Sequence, residues 1–353
     1  MAGEIKILSY RELTVQKQLG RGTFGTVYLA YCDEPEVTNP VVIKVMHESV
    51  STGDVGRKLF MKEAKLLAGL HHENIVRMHG ICINPLAIIL EYVVFDFAPF
   101  NRDVKVNTLD KVLLEIAPLT KSEDCGFDHL IPAIAHDVTK GLSHLHDLEV
   151  AHRDLKPANI LISNQHYCAL QDRQQIKRIK AVRPVVCKLA DFGESRSQLL
   201  QTNGLNDPNT KDIFRGTIPF MAPEILLPER MVQGRKLSLE DLKKVDIWAL
   251  GLVFYCLINS GDSCPYERDG YQHMIDIMNL QRQRKRPSSD PEYQSKQSTV
   301  WVRVRDVYHA CTNHDPIERP RASEVVNALC SSRYPGNRGI LMTSKFDLSF
   351  VFI

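Results

Sequence analysis

Short β-branched and aromatic runs dominate the first ninety residues, and they predict strands at Thr14–Leu19, Thr26–Tyr31, Pro40–Met46 and Ala87–Val94. Between the third and fourth of these, Leu59, Ala64, Leu66, Leu67 and Leu70 mark a helix, with Gly69 near its end. From about residue 95 onward the periodicity becomes helical. Leu130, Ile134, Val138, Leu142 and Leu145 recur at steps of four, four, four and three, one apolar stripe on a helix. A second apolar helix is expected from about Lys243 to Ile258 and a last one over Ala322–Leu329. The pattern predicts an α+β chain with a small strand-rich part, about 10–92, ahead of a larger helix-rich part, 93–330. Residues 331–353 carry no clear pattern and are expected to form a short tail, and no solenoid-type repeat is present. Two stretches are expected to be surface loops: Asp96–Asp128, with a helical patch at Leu109–Ile116, and Ser163–Pro184.

At 353 residues and 40.1 kDa the chain is one large domain or two closely packed lobes, with room for a sizeable core. Hydrophobic residues at 44% and charged ones at 24% exclude a wholly disordered chain, a collagen and a disulfide-stapled mini-protein. Forty-four Lys and Arg against 42 Asp and Glu leave a formal charge of +2, so bulk electrostatics gives no reason to expect a nucleic-acid or membrane partner. The nine cysteines form no C-x-x-C pair, and no His pair is spaced to complete a zinc site; reduced thiols are expected. The longest apolar run, Ile247–Ile258, is much shorter than the roughly 20 residues of a membrane span, and the opening MAGEIKILSYREL lacks a signal peptide's apolar stretch. A soluble cytoplasmic protein is expected, with the nucleus as the alternative. Arg173, Lys177, Arg178, Lys180 and Arg183 face only Asp172 within Ser163–Pro184, and Arg282, Arg284, Lys285 and Arg286 precede Pro287. Solvated faces are the preferred reading of both clusters, ahead of nuclear-localisation or nucleic-acid patches.

The chemistry begins at Gly20-Arg-Gly22-Thr-Phe-Gly25-Thr-Val27, a G-x-G-x-x-G-x-V run whose glycines let backbone N–H groups approach phosphate oxygens. Dinucleotide-binding turns use a similar pattern, but they lead from strand into helix, whereas this one leads into the β-branched and aromatic Thr26–Tyr31. Downstream come Val41-Val-Ile-Lys44, Glu63 in the following helix, His152-Arg-Asp154-Leu-Lys156-Pro-Ala-Asn159, Asp191-Phe-Gly193 and Ala222-Pro-Glu224. In that order, and with the change from strands to helices between them, these motifs resemble those of the eukaryotic protein kinases over roughly Tyr10 to Leu329.

The resemblance implies a bilobal fold, ATP and Mg²⁺ as cofactors, and a protein substrate. It implies that Asp154 accepts the proton of the substrate hydroxyl and that Asn159 and Asp191 hold the metal. Lys44 would contact the α- and β-phosphates, steadied by Glu63, and Gly20, Gly22 and Gly25 would cover them. Leu19 and Val27 would lie above the adenine and Leu161 below it, with Glu91 and Val93 offering hinge backbone and Leu90 as gatekeeper. Lys156, two residues after Asp154, and Thr217 in the stretch before Ala222-Pro-Glu224 match the serine/threonine kinases, and Thr217 would bond to the catalytic Asp and Lys. The stretches His72–Val76 and Ile81-Cys82 are closer to the tyrosine-kinase-like group of serine/threonine kinases. A tyrosine or dual-specificity kinase is the alternative within the enzyme class.

Arg153 beside Asp154 implies an upstream kinase acting on the activation loop, residues 194–215, where Ser195, Ser197, Thr202 and Thr210 are candidate sites. Leu67, His152 and Phe192 would stack into the family's hydrophobic spine, Glu224 and Arg319 would form its buried ion pair, and Asp246 would brace the catalytic loop. Three departures stand against this. Val42 occupies a position that is usually Ala, adding two methyls to the pocket roof at a cost of roughly 1–3 kcal/mol if nothing relaxes. The link from Asn159 to Asp191 is 32 residues long, and the stretch from Glu91 to His152 is also long. These features carry the alternative from a different class, an interaction scaffold on the same fold.

Overall fold

The computed structural model describes residues 5–22, 25–48, 53–117, 130–168, 170–193, 195–197, 216–227, 229, 237–259, 264–291 and 299–330. Its N-terminal part is a five-stranded antiparallel sheet of β1 (Leu13–Arg21), β2 (Gly25–Cys32), β3 (Val41–Met46), β4 (Met78–Ile83) and β5 (Leu86–Glu91), in the order β1-β2-β3-β5-β4. Alternation decides the faces of this sheet. Val41 and Ile43 of β3 join Ala30, Cys32, Ala87 and Ile89 in a small cluster on one side. Val42 and Lys44, half-buried, take the other side, which looks into the cleft. Helix α1 (Asp54–Gly69) lies between β3 and β4 in sequence and buries Phe60, Glu63, Ala64, Leu66 and Leu67.

The C-terminal part opens with two short strands, β6 (Phe95–Asp96) and β7 (Lys105–Val106), and the helix α2 (Leu109–Ile116). Helix α3 (Leu130–Asp147) buries the stripe Leu130, Ile134, Val138, Leu142 and Leu145, as its spacing predicts. β8 (Val150–Ala151) and β9 (Ile160–Ser163) follow; between β9 and β10 (Val186–Leu189), which pair antiparallel, come α4 (Gln165–Cys168) and α5 (Arg173–Val182). This corrects the expectation of a loop over Ser163–Pro184. Asp172 caps α5 by accepting from Gln174 N at 2.8 Å, but the only apolar residues of its inner face are Ile176 and Ile179, too few to announce a helix by periodicity.

A two-residue strand, β11 (Arg196–Ser197), pairs with β8, and α6 (Pro223–Leu226) follows. The centre of the large lobe is α7 (Leu239–Ile258), in which every residue from Val245 to Ile258 is buried. Burial on every side over those fourteen residues makes this stretch a core helix. Ser238 and Asp241 close a reciprocal capping box at its start. Helices α8 (Met274–Arg282), α9 (Thr299–Cys311) and α10 (Ala322–Cys330) complete the lobe. The eight described cysteines are all free thiols. No described helix is long and apolar enough to cross a membrane. Residues 331–353, the expected tail, lie outside the described residues.

Candidate active site

Strand register brings the cleft residues together. Gly20 of β1 faces Val27 of β2, Val27 faces Lys44 of β3, and Lys44 faces Ile88 of β5, so the glycine turn, the cleft wall and the lysine form one row across the sheet. Val42 lies opposite Leu29 on one side and Leu90 on the other, on the face of β3 that looks into the cleft. The three glycines differ. A Cβ on Gly20 would meet nothing within 4 Å, and one on Gly22 only Gly25 O at 3.8 Å, whereas on Gly25 it would lie 2.4 Å from Val45 O. Gly25 is therefore required by the approach of β3, and the open space lies at Gly20 and Gly22.

Lys44 Nζ donates to Glu63 Oε1 at 2.8 Å and to Asp191 Oδ1 at 3.1 Å. Burial opposes the charge on Lys44, but the two carboxylates outweigh it and hold its pKa above the ordinary lysine value. Burial likewise acts against the charge of Asp191, yet Lys44 beside it, with His152 and Lys156, holds its pKa below the usual carboxylate range. Asp191 sits at φ 61°, a strained position for a non-glycine residue. Phe192, which follows it, is 2% exposed, with its ring 5.2 Å from that of His152. His152 in turn sets its Nε2 3.1 Å from Ala190 O, and Leu67 joins the same core.

The catalytic loop is fixed from below by Asp246 of α7. Its carboxylate accepts from the backbone N–H groups of His152 and Arg153, both at 2.8 Å, and lies 3.0 Å from His146 Nε2. That grip holds Arg153 at φ 71° and presents Asp154 to the cleft. Three side chains donate to Asp154: Lys156 Nζ to Oδ2 at 2.8 Å, Asn159 Nδ2 to Oδ2 at 2.9 Å, and Thr217 Oγ1 to Oδ1 at 2.9 Å. Thr217 Oγ1 also accepts from Lys156 Nζ at 2.5 Å, closing a triangle of Asp, Lys and Thr. Gly216 precedes it at φ 116°, where a Cβ would lie 2.8 Å from Arg153 O.

Asn159 spends its Nδ2 on Asp154, both on the carboxylate and on the backbone oxygen at 2.8 Å. Its Oδ1 and the Oδ2 of Asp191 are left as oxygen donors with no hydrogen-bond partner among the described residues. Two such oxygens suit Mg²⁺, which takes one or two protein oxygens and fills its octahedron with phosphate and water. At the hinge, the Glu91 side chain is 2.8 Å from Lys188 Nζ and accepts from Arg77 N at 2.7 Å. Val93 is buried, and its carbonyl accepts from Asn107 Nδ2 at 2.6 Å, which leaves its N–H as the group able to meet an adenine edge. Leu19 and Val27 are half-buried on β1 and β2, and Leu161 is half-buried on β9.

The structure joins Lys44, Glu63 and Asp191 in one set of hydrogen bonds and Asp154, Lys156, Asn159 and Thr217 in another. Lys188, Asn107 and His47, whose Nε2 is 3.1 Å from Gly22 O, escaped notice because each acts on backbone or on another side chain without a fixed motif spacing. Among the expected phosphorylation sites, Ser195 is corrected: it is 3% exposed and donates its hydroxyl to His152 O at 3.2 Å, a structural role. Thr202 and Thr210 lie outside the described residues, as does the side chain of Ser197. Glu224 and Arg319 form the expected buried pair, with Nη1–Oε1 at 2.6 Å and Nη2–Oε2 at 2.8 Å.

Comparison with known proteins agrees with this geometry. The family model of the protein kinase domain matches residues 13–329. The chain belongs to the protein kinase family. Relatives from Gallus gallus include the NT-3 growth factor receptor, 24% identical over 328 residues, and the high affinity nerve growth factor receptor, 26% identical over 317. A third, the BDNF/NT-3 growth factors receptor, is 24% identical over 331 residues. These alignments cover 88–92% of this kinase chain and 34% of each relative, so it spans about a third of the length of the curated relatives it matches.

Proposed function

We propose that this kinase transfers the γ-phosphoryl group of Mg²⁺-bound ATP to serine or threonine hydroxyls of protein substrates. When bound, Mg²⁺-ATP supplies the phosphoryl group and a positive charge that offsets charge build-up on its oxygens during transfer. The chain supplies position and electrostatics. Asp154 receives the proton of the acceptor hydroxyl and aligns its oxygen. Lys156 and Thr217 keep that carboxylate oriented, and Lys156 adds a cation beside the reacting oxygens. Asn159 and Asp191 offer the metal-facing oxygens. Lys44, held by Glu63, meets the α- and β-phosphates under the open turn at Gly20 and Gly22. Leu19, Val27 and Leu161 enclose the adenine, with the Val93 N–H and the Glu91 backbone at its edge. An upstream kinase acting within residues 194–215, where a phosphate would be drawn to Arg153, completes this reading.

The observation that carries the serine/threonine assignment is the triangle of Asp154, Lys156 and Thr217. Similarity to growth-factor receptors favours a second reading, tyrosine as the acceptor. The test is to incubate the purified chain with Mg²⁺, γ-labelled ATP and a mixed protein substrate, then hydrolyse the product and identify the labelled residues. Phosphoserine or phosphothreonine supports the assignment; phosphotyrosine alone overturns it and leaves the rest of the mechanism standing.

A further inference from the structure

The sequence holds two basic runs, and the fold treats them differently. In the later one, Arg282 Nε donates to Glu229 Oε1 at 2.6 Å, and Arg286 donates to Thr312 Oγ1 at 2.8 Å and His309 O at 3.1 Å. Half of that run is therefore structural. In the earlier one, Arg183 pairs with Glu73 at 2.8 Å and Lys180 lies over the Phe100 ring at 3.9 Å. Arg173, Lys177 and Arg178 are different: they are exposed on the outer face of α5 and meet no carboxylate among the described residues.

Helix α5 carries this charge at a cost. Arg173 occupies its first turn, against the helix dipole, and Arg173 and Lys177 are like charges at i and i+4. No acidic residue within the helix offsets them. One turn after Arg178, Val182 is 66% exposed, adding an apolar spot to the same outward-facing end. A helix of ten residues, with no buried residue of its own, thus presents unneutralised cations beside an exposed valine.

We propose that the outer face of α5 is a docking surface for an acidic segment of a partner protein. Carboxylates of that segment meet Arg173, Lys177 and Arg178, and an apolar side chain covers Val182. The three cations lie within six residues of helix, five steps of 1.5 Å or about 7.5 Å along its axis, a distance that two or three acidic side chains of one short segment can match. Three cations are fewer than the roughly 6–10 phosphate contacts typical of strong nucleic-acid binding, and one exposed valine is little apolar surface for membrane insertion. The +2 balance of the chain adds no general attraction for polyanions. An acidic segment joined to an acceptor residue would be held on α5, which raises the effective concentration of that acceptor around the kinase.

The test measures fluorescence anisotropy of a labelled peptide of six glutamates alternating with leucines, in low and raised salt. The chains compared are the wild type, the reversal Arg173→Glu/Lys177→Glu/Arg178→Glu, and a neutral triple Gln variant at the same positions. Thermal melting verifies that each is folded, and the Gln variant keeps the test open if reversal harms folding. The expected result is wild-type binding that weakens with salt, roughly tenfold weaker after reversal and less so after neutralisation, as three exposed ion pairs allow. Phosphorylation of a short acceptor peptide without acidic residues should be the same in all three. Equal affinity for the peptide across the three chains overturns the proposal, and so does a wild-type preference for duplex DNA or anionic vesicles. Because the binding readout needs no phosphoryl transfer, failure of docking and failure of the proposed activity are separable.

Discussion

Asp154 is held by donors from three places, Lys156 and Asn159 on its own loop and Thr217 sixty-three residues away. Thr217→Val deletes one of them and leaves Lys156 with a methyl in place of its hydroxyl partner. A hydrogen bond to a charged group contributes about 1.5–3 kcal/mol, so kcat should fall on the order of tenfold to a hundredfold. The KM for ATP should change little, since Thr217 bonds to Asp154 and Lys156 and to none of the residues expected around ATP. Steady-state kinetics with varied ATP checks both quantities. The glycines give a second contrast. Gly25→Ala forces a Cβ onto Val45 O and should lower the melting temperature, while Gly22→Ala enters open space and should spare stability but raise the KM for ATP. Equal effects of the two substitutions on melting would contradict this division. Lys44, Asp154, Asn159 and Asp191 were legible because phosphoryl transfer needs those groups at motif spacings. The different burden on Gly25 was not, because it depends on the distance to a neighbouring strand.

Helix α7 does its work through Asp246, which is 0% exposed and accepts two backbone N–H bonds from the catalytic loop. Asp246→Ala would leave those two donors and His146 without their partner. The expected loss is about 3 kcal/mol or more of stability, with a kcat reduced further than the unfolded fraction explains, because Arg153 then loses what keeps it at φ 71°. Chemical denaturation alongside kinetics separates the two effects. This helix and α3 could be read from the chain because their apolar positions are dense or regularly spaced. Helix α5 could not. Its cap, Asp172, was visible, but a helix stabilised by one cap, two half-buried isoleucines and Lys180 over Phe100 leaves no hydrophobic period. The two-residue strands β6, β7, β8 and β11 are likewise invisible, since a period of two cannot show in two residues.

Where α3 packs against β10 in the large lobe, one carboxylate links stability to pH. Asp137 Oδ2 accepts from Cys187 N at 2.9 Å. Burial pushes its pKa up from 3.8 to about 6, the Cys187 N–H and Arg183 opposing only part of the shift. The folded state therefore binds this proton more tightly than the unfolded state. Stability from this group is greatest below about pH 4 and declines as pH rises through about 6, with a full cost on the order of 2–3 kcal/mol at neutral pH. Asp137→Asn keeps an acceptor oxygen for Cys187 and has no such slope. It should exceed the wild type in denaturant unfolding at pH 7.5, and its advantage should shrink as pH falls below about 6; a pH-independent gap would contradict the assignment. Taken whole, the order of strands, helices and motifs disclosed the bilobal kinase fold, because each motif demands a particular element beneath it. The register that lines Gly20, Val27 and Lys44 in one row had to come from the structure. The most direct test of that arrangement as a catalyst is label transfer from γ-labelled ATP with Mg²⁺, compared between wild type and Asp154→Asn, with ATP binding followed by thermal shift in both. The account predicts that both proteins are stabilised by Mg²⁺-ATP and that only the wild type transfers label. Transfer retained by Asp154→Asn, or a wild type that neither binds nor transfers, would contradict it.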